Sequence, residues 1–407
     1  MKKLFIIFIV IAILTFGVLF TIEHFFTENN PAEGNANLEN QETQNETETQ
    51  APQLIVPKED SHFTMSVIGD IMCHNTQYKD AYVSSTGTYD FSYVFEDVKD
   101  YISSADIAIG NLETTFAGKE RGYSNYPTFN TPEQLAYNLK DFGIDVLSTA
   151  NNHSIDKGFS GLVSTLKYLD DAGIDHVGTN ATQEAQNQIL VKEVNGIKIA
   201  FLSFTYGTNG IPIPKDSPFA VNLIDEDFIL NQISLAKEQE PDLICVNMHW
   251  GVEYQTKQNS EQERLANLLF ENGVDVILGS HPHVLQPMEK KTITLEDGST
   301  KDCFVIYSLG NFMSGQTIKN TRNSIILNMS FTKNGETGKM TIDEVSYVPI
   351  YMYKSASGGV QRYRVLDIEK TIQNYETGID TSIGNTAYST LKTELTKIKN
   401  TMGEQND

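Results

Sequence analysis

Short apolar runs recur along this chain, and five of them stop at residues able to ligate or protonate. Met65-Ser-Val-Ile-Gly69 precedes Asp70, Ile107-Ala-Ile-Gly110 precedes Asn111-Leu112-Glu113, and Asp145-Val-Leu-Ser-Thr-Ala150 precedes Asn151-Asn152-His153. Leu243-Ile-Cys-Val-Asn-Met248 precedes His249, and Val274-Asp-Val-Ile-Leu-Gly279 precedes Ser280-His281-Pro282-His283. Near-continuous apolar runs of this length predict strands buried on both faces. Helical spacing lies between them: Leu135, Leu139 and Phe142 within Pro132 to Phe142, then Leu162, Leu166 and Leu169 within Phe159 to Ala172, each segment closed by a glycine. Ser260-Glu-Gln-Glu263 has a capping-box pattern ahead of Leu265, Leu268 and Leu269. Asn195-Gly196, Asp297-Gly298 and Asn334-Gly335 separate β-rich runs and predict hairpins. The sum is a mixed α/β fold with antiparallel additions or a second sheet. In such folds the carboxyl ends of the strands open on one rim, so the five polar clusters are expected to converge there.

The N-terminal pattern differs. Lys2-Lys3 precede nineteen uncharged residues, Leu4 to Ile22, enough to reach roughly 28 Å as a helix and cross a bilayer. The lysines place residues 1–3 in the cytoplasm and everything after residue 22 outside, with a cleaved signal peptide as the alternative. Residues 23–59 form a linker that through Pro57 has no Lys or Arg and seven Glu, too polar to bury a core. Gln53-Leu-Ile-Val-Pro57 is expected to lie against the domain. A globular domain is expected over residues 60–375 and a polar C-terminal extension over 376–407.

Composition narrows the functional classes. With 407 residues and 40% hydrophobic content the chain can build a large core. A formal charge of −23 excludes nonspecific nucleic-acid binding. Cys73, Cys245 and Cys303 have no zinc-like spacing and are read as packing residues. Lys354, Arg362 and Arg364 form a local basic group, read mainly as a solvated loop.

The rim residues have the composition of a metal site. Asp70 and Glu113 offer carboxylates, Asn152 an amide oxygen, and His249, His281 and His283 imidazoles, which suit zinc, manganese or iron. His281-Pro282-His283 is expected to put both rings on one side of an extended segment. Trp250, Glu253 and Tyr254 either line a pocket or fix the His249 loop, and Tyr307 to Phe312 is read as a turn near the rim.

Six blocks in this order resemble one family: Gly69-Asp-Ile-Met72, Asn111-Leu-Glu113, Ala150-Asn-Asn-His153 with Asp156, His249-Trp-Gly-Val-Glu-Tyr254, Gly279-Ser-His-Pro-His283 and Tyr307-Ser-Leu-Gly-Asn-Phe312. They look like the CapA family of bacterial capsule or poly-γ-glutamate synthesis components, related to the calcineurin-like metallophosphoesterases. The resemblance implies a β-sandwich flanked by helices in four α/β/β/α layers, with two divalent metal ions at the strand ends. It implies that Asp70 binds the first ion, Glu113 bridges both, and Asn152 and His249 bind the second. His281 and His283 complete the two spheres, and His153 acts as general acid, oriented by Asp156. Typical relatives of this superfamily begin with Asp-x-His; here Met72 stands in the third place, so either His74 reaches around a turn to serve the first ion or that ion has one ligand fewer.

The expected role is a single-pass, membrane-anchored hydrolase with its domain outside the cell membrane. It would serve an exopolymer synthase complex and act on an anionic polymer or a phosphorylated substrate. A general phosphoesterase and a noncatalytic polymer-binding accessory are the alternatives.

Overall fold

A computed structural model describes residues 58–294, 298–357 and 360–403, except the side chains of 356–361. The chain divides into Met1–Val56 and Pro57–Asp407. The expected anchor, and the linker as far as Pro57, lie outside the described residues. No helix among the described residues is long and apolar enough to cross a membrane.

The first sheet contains β1 (Ser61–Ile71), and a small hairpin, β2 (Tyr82–Val83) with β3 (Thr88–Tyr89), follows it in the chain. Next come β4 (Ile107–Leu112), β5 (Val146–Ser148) and β6 (Asp175–Val177) of the first sheet, then β7 (Leu190–Val194), β8 (Ile197–Thr205), β9 (Leu243–His249), β10 (Val276–Ser280), β11 (Leu285–Thr294) and β12 (Thr300–Leu309) of the second. The chain returns to the first sheet with β13 (Asn311–Met313), β14 (Asn323–Lys333), β15 (Met340–Ser357) and β16 (Val360–Asp367). The strand orders are β16-β15-β14-β1-β4-β5-β6, with β13 beside β1, and β11-β12-β10-β9-β8-β7. Strands β1, β4, β5 and β6 are mutually parallel, as are β8, β9, β10 and β12.

Side chains alternate across each strand, and this sorts the apolar residues into layers. Phe63, Met65 and Val67 of β1 and Ile107 and Ile109 of β4 meet Ile199 and Phe201 of β8, Leu243 and Cys245 of β9, and Val276 and Leu278 of β10 between the sheets. On the outer face of the first sheet, Ile68, Ala108 and Leu147 pack with Leu135, Leu139 and Phe142 of helix α1 (Gln134–Phe142) and Leu169 of α2 (Gly158–Ala172). On the outer face of the second, Ile244, Val246 and Ile277 pack with Ile229 and Ile233 of α3 (Glu226–Lys237) and Leu265 and Leu269 of α4 (Ser260–Glu271). The result is the expected four-layer α/β/β/α sandwich.

Local details refine the sequence reading. The α4 cap is Asn259 rather than Ser260: its side chain accepts from Gln262 N–H while Gln262 Oε1 accepts from the Asn259 N–H, a capping box one residue earlier. Asn195-Gly196 turns β7 into β8 with φ of 51° and 78°, and β14 and β15 pair antiparallel around Asn334-Gly335. Asp297 lies outside the described residues. All three cysteines are buried and free. Helices α5 (Ile368–Glu376) and α6 (Gly384–Met402) follow β16, and Leu391, Ile398 and Met402 of α6 join the core between the sheets.

Candidate metal centre

Parallel register brings the polar clusters together. Asp70 pairs with Asn111 and Asn111 with Ser148, while His249 pairs with Ser280 in the other sheet, so both rows of strand ends reach the rim side by side. The chain changes sheets at Gly310 (φ +69°), whose carbonyl accepts from Asp70 N–H at 2.9 Å. The His281 and His283 backbones are not extended, contrary to the sequence expectation: their φ angles are +96° and +59°, so the segment is a strained turn. Tyr254 N–H holds that turn by donating to Pro282 O at 2.8 Å. The two rings still end 5.9 Å apart.

Two donor groups result. Asp70, Glu113 and His249 bring one ligand atom each within 4.8 Å of one another, and Glu253, His281 and His283 do the same. Glu113 Oε1 joins them, 3.7 Å from both His249 Nε2 and His283 Nε2. Asn152 Oδ1 lies 3.1 Å from His249 Nε2, which places it at the first group. Asp70 is held through both oxygens, by Asn111 Nδ2 at 2.8 Å and His283 Nδ1 at 3.1 Å. His249 Nδ1 contacts Ser280 Oγ at 2.8 Å, the kind of outer contact that fixes a ligating imidazole. Glu253 and Ser280 were not singled out as site residues from sequence. Glu253 had a signal, a carboxylate four residues beyond His249 in the same block.

The electrostatics call for a cation. Glu113 is fully buried and neither carboxylate oxygen meets an N–H or hydroxyl donor. Burial, then the Asp70 carboxylate, pushes its pKa well up. Burial and neighbouring imidazoles hold His249 well below the ordinary histidine range and His281 at about 3, so both keep lone pairs for ligation. His281 Nδ1 is buried without a partner. The ionisable nitrogens near the Asp70 and Glu113 carboxylates are those of His249 and His283; among the described residues neither carboxylate pairs with Lys or Arg. A divalent ion with N and O ligands fits this donor set.

His153 stands beside the centre. Its Nδ1 contacts Asp156 Oδ2 at 2.7 Å, the same oxygen accepts from Phe129 N–H at 2.7 Å, and the Phe129 ring lies edge-on at 4.8 Å. His74 belongs to neither donor group: its Nδ1 accepts from Gly315 N–H at 3.0 Å, and burial lowers its pKa to about 4. Tyr206 packs 4.4 Å from the His281 ring and Tyr254 6.1 Å from His283, forming the walls. Trp250 is packing: it is buried, and its Nε1 donates to Tyr307 O at 3.0 Å. Asn311 is structural, with Nδ2 donating to Gln316 Oε1 and Thr321 O. Arg364 pairs with Asp97, Arg362 lies over Tyr93, and Lys354 lies over Tyr363.

Comparison with known proteins agrees in sequence. The family model described as bacterial capsule synthesis protein PGA_cap matches residues 64–316. The capsule biosynthesis protein CapA of Bacillus anthracis is 32% identical over 299 residues, 71% of this chain and 68% of its own length. The PGA biosynthesis protein CapA of Bacillus subtilis is 31% identical over 290 residues, 70% and 72% of the two chains. Among solved structures, the calcineurin-like phosphoesterase YfkN from Bacillus subtilis superposes with a TM-score of 0.41 at 14% identity, covering 83% of this chain and 99% of that one. With its motifs, its matched span and these relatives in agreement, the chain belongs to the PGA_cap family of bacterial capsule synthesis proteins.

Proposed function

We propose that the chain is a hydrolase using two divalent ions in the production or export of a capsule polymer, held outside the cell membrane by residues 4–22. The observation that carries the metal reading is Glu113, a buried carboxylate without a hydrogen-bond donor, which belongs to the donor group of Asp70 and His249 and reaches His283 of the other group at 3.7 Å. Asp70, Glu113, Asn152 and His249 would hold one ion, and His281, His283 and Glu253, sharing Glu113, the other. When bound, the ions supply Lewis acidity and an activated water. The His153 imidazole is fixed at Nδ1 by Asp156, which leaves Nε2 as the nitrogen that, once protonated, can deliver a proton to a leaving oxygen or nitrogen. Tyr206 and Tyr254 shield the histidines from water on the open side. The capsule context is supported by the two CapA relatives.

The test is elemental analysis of the full chain, purified without chelators and supplied with manganese or zinc. Two ions per chain are expected, with the content lowered in Glu113→Gln and His281→Ala. Absence of metal under every supplementation would leave a noncatalytic polymer-handling role. Protease digestion of intact cells is expected to remove the domain, and full protection would reject the outside location.

A further inference from the structure

Asn209 lies in the loop that follows β8, at φ +51° and ahead of Gly210 at φ +75°. The loop is fixed locally, with Thr208 Oγ1 donating to Ile211 O at 2.7 Å and Ile211 N–H to Thr208 O at 2.9 Å. Its base is tied to the centre by Tyr206 N–H, which donates to His249 O at 3.0 Å. Asn209 is an exposed residue, yet its amide turns inward. Asn209 Oδ1 accepts from Asn152 Nδ2 at 3.2 Å and from the Tyr206 hydroxyl at 3.4 Å, while Asn209 Nδ2 faces His153 Nε2 at 3.4 Å.

We propose that Asn209 is a positioning residue that sets the orientation of the Asn152 amide and the His153 ring together. The inference rests on the metal reading above. An amide has one end that can ligate a cation and one that only donates. By accepting from Asn152 Nδ2, Asn209 directs Asn152 Oδ1 toward His249 and the first donor group; a reversed Asn152 amide would present N–H groups to the ion. The other end of the Asn209 amide, which only donates, meets Nε2 of His153, the ring nitrogen that Asp156 leaves open, and holds the neutral ring with Nε2 as acceptor. A single side chain from the second sheet's loop thereby couples the Asn152 amide and the neighbouring His153 ring, both carried by the first sheet.

The test is manganese titration of the full chain by calorimetry, with Asn209→Gly and Asn209→Asp compared with the unaltered protein. Glycine removes the amide without strain at this φ, and aspartate keeps an acceptor for Asn152. Outer contacts of this kind are worth about 10–100-fold in metal affinity. That loss is expected for Asn209→Gly at an unchanged unfolding midpoint, with affinity restored in Asn209→Asp. Unchanged affinity in Asn209→Gly, or equal weakening in both variants, overturns the positioning role while leaving the metal reading intact. No manganese binding by the unaltered chain overturns both.

Discussion

Burial moves the pKa values of Glu113, His249 and His281 toward the neutral form of each group, and this has a consequence for pH. The folded-state pKa of His281, about 3, lies below its ordinary value of 6.5. The unfolded chain therefore binds more protons between those values, and the stabilisation present above about pH 6.5 is lost as pH falls toward 3, at about 1.4 kcal/mol per pH unit for one such group. His249 and His74 act in the same direction. Glu113, raised by burial, acts oppositely: its contribution is held below its ordinary 4.5 and lost as pH rises through its folded value. Denaturant titrations of the chelator-treated chain at pH 7, 5.5 and 4 are expected to show falling stability, with a smaller fall in His281→Ala; a flat profile would contradict the burial argument. His153→Ala is expected to keep both metals and lose about 10²–10⁴-fold in turnover on a phosphoester or γ-glutamyl substrate, and retained turnover would remove it as the acid. The ligand types at residue scale were legible because Asp, Asn and His stood at the ends of apolar runs. Glu253 was read as lining a pocket or fixing the His249 loop rather than as a ligand, and Asn209 carried no sequence signal, because each is recruited by a loop path rather than by a strand end.

At the scale of elements, the centre depends on close backbone approaches. An added Cβ at Gly69 would fall 2.0 Å from Gly310 O, and one at Gly279 would fall 2.0 Å from Tyr307 O. Gly69 lets the crossover from β12 to β13 press against the end of β1 beneath Asp70, and Gly279 lets β12 itself press against the end of β10 near His281. Gly69→Ala is expected to destabilise by about 1–3 kcal/mol and to weaken metal binding; thermal unfolding and metal content measure the two, and normal values for both would show that the crossover yields easily. The strands and the crossover helices were readable because period-two and helical spacing are local properties. The capping residue of α4 was misplaced by one because Asn259 and Ser260 are both good caps, and the choice between them depends on which one's neighbour reaches back. The His281 turn was misread as extended because its positive φ angles are imposed by packing and by the Tyr254 to Pro282 hydrogen bond, which no spacing encodes.

For the whole molecule, the C-terminal helix α6 closes the space between the sheets. Leu391 and Ile398 are each 1% exposed within the central core, so this polar-looking segment contributes to the stability of the sandwich. Leu391→Ala is expected to cost about 2–5 kcal/mol, read from chemical denaturation, and a change near zero would mean that α6 only rests on the surface. Sequence by itself determined the class of fold, the apolar strands, the chemistry gathered at their ends and the family, because hydrophobic periodicity and side-chain type act within a few residues. Tertiary structure alone decided that the two sheets are joined at Gly310, that Glu253 completes a second donor group, that His74 is used by Gly315, and that Asn209 reaches Asn152 and His153. Those outcomes depend on which distant surfaces bury each other, and the free energy of that burial is a property of the assembled core rather than of any one segment.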